Sequence, residues 1–165
     1  MQKDTRYTIA LILSLVFAII SFIIMVYFMG RTTTVFSPPQ FDQSAVVGDP
    51  SELSTENIPV SWDILSEDSL PFAVGVAGLP ERTEDDKLNV WLFNPKDNSA
   101  WIQLQAYDKA GNALGSSGLI KPGEYVKSIS GAFADVSDVS LKILGYEPNV
   151  YYSLGSFVLN STIAE

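Results

Sequence analysis

Residues Ile9 to Met29 carry no charged side chain, and Ser14 and Ser21 are the only strongly polar ones among them. About 20 apolar residues, rising about 1.5 Å each, match a hydrocarbon core about 30 Å thick, and in lipid a helix satisfies its own backbone hydrogen bonds. The stretch therefore predicts a membrane-spanning helix over residues 9–29. A core helix of a soluble protein is the competing assignment, but the rest of this 165-residue chain is too polar to enclose it. A cleavable signal peptide is the other. Its apolar centre runs about 7 to 15 residues and ends at a small-x-small site, which Phe28-Met29-Gly30-Arg31-Thr32 does not supply. An uncleaved signal anchor, touching membrane lipid along residues 9–29, is expected.

The flanks set the orientation. Lys3 and Arg6 precede the span, whereas Arg31 is the only basic residue after it before Arg82. Basic flanks stay in the cytoplasm, so residues 1–8 form a short cytoplasmic tail and the long segment is extracytoplasmic. The predicted product is a single-pass protein of the cell membrane.

The formal net charge is −9 and most of the acid lies after the span. Nucleic acid is excluded as a partner, because phosphate binding needs clustered Lys and Arg. With no cysteine there is neither a disulfide nor thiolate chemistry nor a site for a lipoprotein anchor. A cysteine-free exported domain fits a bacterium.

Residues 30–57 are rich in Ser, Thr, Pro and acidic side chains, with Pro38-Pro39 early in the stretch. They read as a flexible stalk. Asp49-Pro50-Ser51-Glu52 within it has the cap, first-turn proline and N3 glutamate of a helix start. From Ile58 the pattern changes to alternation. Ile58, Val60, Trp62 and Ile64 suggest a first or edge strand, with Pro59 barring a central place. Phe72, Val74 and Val76 suggest a second, and Leu79 to Lys87 a charged loop. Leu88 to Phe93, the turn Asn94-Pro95-Lys96-Asp97-Asn98 and Ala100 to Tyr107 read as a hairpin. Asp108 to Asn112 is a further tight turn. Short strands are expected at Ala113–Ser116, Tyr125–Ile129, Val139–Ile143 and Phe157–Ile163, the last of them inside a sheet. The sum is an all-β domain over residues 58–165: an antiparallel immunoglobulin-like or fibronectin-like β-sandwich of seven or eight strands, a small barrel being the alternative.

Asn94-Pro95 with Asn98, Asp108 with Gly111, Ser117 to Gly123, Gly145-Tyr146 and Leu159-Asn160-Ser161-Thr162 together resemble small membrane-anchored surface proteins of Firmicutes. That resemblance, over about residues 72–163, implies an immunoglobulin-like or fibronectin-like extracytoplasmic domain. Its motifs are turns, so it carries no catalytic residue across.

Nothing in the sequence builds an active site. There is no histidine, and no Gly-x-Ser-x-Gly, Ser-x-x-Lys, P-loop or Gly-x-Gly-x-x-Gly pattern. The carboxylate pairs Asp85/Asp86 and Asp135/Asp138 sit in short hydrophilic loops, without the apolar surroundings that raise one pKa. The acidic loop at Glu84-Asp85-Asp86 lacks calcium-loop spacing. No catalysis, cofactor or metal is expected.

Binding has better candidates. Trp91 shares a strand face with Phe93, and Trp101, Gln103, Gln105 and Tyr107 lie opposite Ile102 and Leu104. Such a row suits stacking on sugar rings or on a partner strand; burial under neighbouring loops or the stalk is its structural use. Tyr146, Tyr151 and Tyr152 form a second aromatic loop, fit either for contact or for pinning a corner of the sandwich. Asn160-Ser161-Thr162 matches a glycosylation acceptor but falls in a predicted strand and reads as incidental. In the span, Ala10, Ser14, Ala18 and Ser21 share one helix face of small residues, which permits close helix approach.

Two functions fit. One is a surface-displayed, non-catalytic interaction module that binds a protein or glycan. The other is an accessory structural subunit of a cell-envelope assembly such as secretion, conjugation, pilus or cell-wall machinery, held in a membrane complex or homo-oligomer through its helix.

Overall fold

A computed structural model describes residues 2–29, 37–48, 62–83 and 85–164, and the side chains of 7–9 and 11–27 in the first of these. Two compact units result, Met1–Ser37 and Pro38–Glu165. The first is one helix, α1, over Gln2–Met29. Its apolar portion, Tyr7–Tyr27, is long and apolar enough to cross a membrane, and none of it is buried against protein. Ser14 donates its hydroxyl to the Leu11 carbonyl at 2.9 Å, which satisfies the polar group without help from solvent. The helix also takes in most of the tail expected at residues 1–8. Once nucleated, it gains a hydrogen bond for each residue added.

The second unit is built from ten strands among the described residues: β1 Val46–Val47, β2 Trp62–Ser66, β3 Ala73–Ala77, β4 Glu81–Arg82, β5 Lys87–Phe93, β6 Trp101–Tyr107, β7 Ala113–Ser116, β8 Glu124–Ser130, β9 Asp138–Tyr146 and β10 Ser153–Thr162. They form two antiparallel sheets. One has the order β1-β8-β5-β3-β2, with β4 also on β5; the other runs β10-β9-β6-β7. Strict alternation drives this arrangement. In β9, Val139, Leu141, Ile143 and Gly145 are buried while the residues between them are half-exposed, and β6 buries Ile102, Leu104 and Ala106. These meet Val74, Leu88, Leu92 and Val126 of the facing sheet, with Phe133 closing the core. Each such aliphatic side chain contributes about 1.5 to 3 kcal/mol of transfer free energy.

Two expectations about connection and count are corrected. The segments 88–93 and 100–107 are not a hairpin, because β5 and β6 belong to different sheets. Asn94 explains why. It is fully buried, and its Nδ2 donates to Ala100 O at 3.0 Å and to Ile120 O at 2.9 Å. Asn98 Nδ2 donates to Asn94 Oδ1 at 2.6 Å, and Asn98 Oδ1 accepts the Ala73 N–H at 2.9 Å. Two amides thus satisfy the backbone where the chain crosses between layers, a task a two-stranded turn would not impose. The number of strands exceeds the expected seven or eight because β1 and β4 are two-residue pairings in stretches read as stalk and charged loop.

Residues 38–48 belong to the domain rather than to a stalk. Val46 and Val47 pair with Tyr125 and Glu124. Asp42 N donates to Leu119 O at 2.9 Å, and Leu119 N to Gln40 O at 2.8 Å. A Cβ on Gly118 would stand 2.5 Å from Asp42 N, so glycine is what lets this segment lie so close. β2 is the edge strand expected, but its faces are reversed: Ile64 is 57% exposed while Leu65 packs on the core. β10 is paired along its length yet stands at the edge of its sheet rather than inside it. The helix start at Asp49 to Glu52, and Ile58 and Val60, lie outside the described residues.

Candidate functional site

The eight proposed binding residues divide between the two outer faces of the domain. Trp91 lies on the six-stranded sheet, apart from the rest. A register shift in β5 between Asn89 and Leu92 leaves Trp91 at a φ of 36°. Its ring stacks on Tyr125 at 6.3 Å and meets Trp62 edge-on at 6.2 Å, with Lys127 Nζ 5.3 Å from its centroid. Trp62 also packs edge-on against Phe93 at 6.4 Å. The rings of this face are engaged with one another.

On the four-stranded sheet the expected row is real. Trp101, Gln103, Gln105 and Tyr107 project outward from β6, opposite Ile102 and Leu104. The register with β9 sets them beside Tyr146, Leu144, Lys142 and Ser140 in turn. At one end Trp101 is enclosed, with Phe41 edge-on at 4.9 Å and Tyr151 at 5.6 Å. Phe41 comes from the stretch expected to be stalk. It also carries Lys121 Nζ 4.4 Å from its centroid. Gln103 is buried and donates to Ser117 O at 3.1 Å. A polar chain then runs along the strand: Tyr107 Oη donates to Gln105 Oε1 at 2.7 Å, and Gln105 Nε2 and Tyr146 Oη reach Gln103 Oε1 at 3.5 Å and 3.4 Å. Burial, and then the nearby Tyr107, raise the pKa of the Tyr146 phenol above its ordinary value, so it stays a donor at neutral pH.

The other end is open. Tyr107 forms a wall between a hollow of about 640 Å³, floored by β9 and β10, and one of about 350 Å³ over β7. Lys142, Ser140, Val158 and Asn160 line the larger one. Its rim is the turn 108–112, where Asp108 accepts the N–H groups of Ala110 and Asn112 and the Asn112 amide. The Asn112 side chain, and then its backbone N–H, hold the Asp108 carboxyl below the usual range. Lys109 Nζ is 2.9 Å from Asp138 Oδ2. That contact, and then Ser137, lower the pKa of Asp138, which keeps it charged and unsuited to donating a proton.

The remaining candidates place as follows. Tyr151, at a φ of 60°, packs on Trp101 and pins its loop, which is closed by Glu147 N to Tyr152 O at 2.8 Å; Tyr152 is 71% exposed and stands clear. Asp85 is 3.9 Å from Lys87. Among the described residues no three His, Cys, Asp or Glu side chains come together as a metal site. Ser14, Ala18 and Ser21 lie on exposed helix surface; Ala10 is in the helix, its side chain outside those described.

The structure adds Ser140, Lys142, Val158 and Asn160 to the row. Alternation along residues 139–143 marks Ser140 and Lys142 as outward-facing, but only strand order puts them beside Gln105 and Tyr107. Comparison with known proteins yields no match to a protein family, a curated protein or a solved structure.

Proposed function

We propose that this chain is a membrane-anchored, extracytoplasmic binding module that takes a glycan on the outer face of its four-stranded sheet and performs no catalysis. One observation carries the reading: Gln105, Tyr107 and their β9 neighbours form a continuous polar and aromatic surface that opens into a hollow of about 640 Å³, within the range of ligand sites. An aromatic wall with amide and hydroxyl groups around it matches the two needs of sugar recognition, an apolar ring face and many hydrogen bonds. The apolar helix with its basic N-terminal flank supports placing the domain outside the cytoplasm. Asp97→Cys would be the only thiol in the chain. Its labelling by a membrane-impermeant maleimide in whole cells supports that placement, and protection until lysis opposes it.

Binding is tested with the full-length protein in nanodiscs, mixed with purified envelope polysaccharide. Retention of the polysaccharide, lost in Tyr107→Ala and kept in Trp91→Ala, supports the assignment. No retention, or equal retention by both variants, refutes it.

The accessory-subunit reading draws on the small-residue face at Ala10, Ser14, Ala18 and Ser21. Exchange of residues 9–29 for an unrelated transmembrane helix separates the two. Loss of in-cell crosslinks to membrane proteins would favour the subunit, and unchanged external crosslinks the tethered module.

A further inference from the structure

We infer that the groove beside Tyr107 is a subsite for an acidic saccharide whose anionic group, carboxylate or phosphate, is received by Lys142; this rests on the glycan reading of the face. Lys142 stands mid-strand in β9, flanked in register by Gln105 on β6 and Val158 on β10. Its side chain therefore rises from a paired strand that floors the groove and not from a loose loop. It pairs with no carboxylate among the described residues, whereas the groove's other cation, Lys109, is bound to Asp138. Asp108 is occupied within its own turn. What remains is one lysine without an ion-pair partner among the described residues, on a groove that Asp108, Lys109 and Asp138 also line. A lysine that has no ion pair and lines a hollow is placed to receive an anionic group.

The groove is shaped for more than a bare anion. Tyr107 offers its ring as a side wall, and Val158, 55% exposed, offers an apolar surface across from it. Ser140 and Asn160 face one another in register and their side chains make no hydrogen bond among the described residues. An inorganic anion could accept from Ser140 and Asn160 but would leave the apolar surfaces of Tyr107 and Val158 unused. A pyranose ring bearing a charge uses each of them: C–H faces on Tyr107 and Val158, hydroxyls on Ser140 and Asn160, the anion on Lys142. Because the hollow over β7 continues past Tyr107, the saccharide extends beyond one ring across the strands.

The test uses full-length protein in nanodiscs of phosphatidylcholine, which adds no net charge of its own. Calorimetric titrations compare tetragalacturonate, its methyl ester, a 6-phosphorylated oligomannoside and inorganic phosphate. The expected result is that tetragalacturonate or the phosphorylated sugar binds at least tenfold tighter than the neutral ester. Lys142→Gln should remove that advantage, Lys142→Arg should retain it, and rising salt should weaken it. Which of the two acidic sugars binds identifies the anion as carboxylate or phosphate. Equal binding of acid and ester, or indifference to Lys142→Gln, overturns the acidic subsite and leaves the glycan reading intact. Phosphate binding as tightly as the sugars shows a plain anion site and also overturns it. If no saccharide binds, the inference fails; if Tyr107→Ala is also without effect on envelope polysaccharide, the glycan reading fails with it.

Discussion

The outer faces of the two sheets both carry aromatic rows, and they use them differently. On the six-stranded sheet Trp62, Trp91, Phe93 and Tyr125 are in ring-to-ring contact, so their surface is largely consumed within the domain. On the four-stranded sheet only Trp101 is consumed in this way, between Phe41 and Tyr151. Past Gln105 the side chains have unspent hydrogen-bonding capacity and an unpaired charge. Aromatic density is therefore a poor guide to a site. What separates the two faces is whether the rings are packed on one another, as on the first, or left lining a hollow, as Tyr107 is.

The largest effect that sharpens this contrast is on stability at the first face. Trp91→Ala should cost about 3 kcal/mol, because a half-buried tryptophan stacked on Tyr125 leaves a gap its neighbours fill poorly. Chemical denaturation should show the loss while saccharide binding is unchanged; a stable Trp91→Ala that no longer binds would reverse the roles of the two faces. Trp101→Ala should cost about 2 kcal/mol through its contacts with Phe41 and Tyr151, and differential scanning calorimetry should show it unfolding at lower temperature. Tyr107→Ala should cost less than about 1 kcal/mol, since its ring lines a hollow and its one hydrogen bond is to a side chain. Its signature is instead a loss of binding of about tenfold, and a large stability loss without one would make Tyr107 a packing residue. The smallest effect is electrostatic. The folded state lowers the pKa of Asp138 below its ordinary 3.8, so the contribution of this group is present above that value and lost as pH falls through the lower folded value. Asp138→Asn should flatten the acid limb of stability against pH in that window and lower stability by a constant amount above it, and a change of slope between about pH 7 and 9 would point to another group.

Much of this arrangement was legible in the sequence, and the failures are specific. Alternation in residues 100–107 and 139–143 identifies inward and outward side chains, and the apolar run 9–29 identifies the helix, because both depend on local period. The Asn94–Asn98 segment misleads because its turn residues are compatible with a hairpin. The decisive bond joins Asn94 to Ile120, 26 residues away. Residues 38–48 read as stalk because few of them are apolar, yet they are fixed largely by backbone hydrogen bonds, which composition does not encode. Ile64 reads as core because it alternates correctly, but an edge strand has a free choice of face until its partner is fixed. Lys142 is visible as a polar break between Leu141 and Ile143, while its lack of an ion pair is known only once Lys109 is seen bound to Asp138.

The docking of residues 40–42 has a mechanical meaning. A pull applied to the chain at Pro38 would fall first on the bonds of Gln40 and Asp42 with Leu119 and of Asp42 Oδ2 with Gly118. The Phe41–Leu119 bridge is parallel. Those few bonds stand between an applied load and the tightly packed interior, and Phe41, which they hold in place, is the ring that covers Trp101. Such a pull would thus act, through Phe41, on the closed end of the outward row.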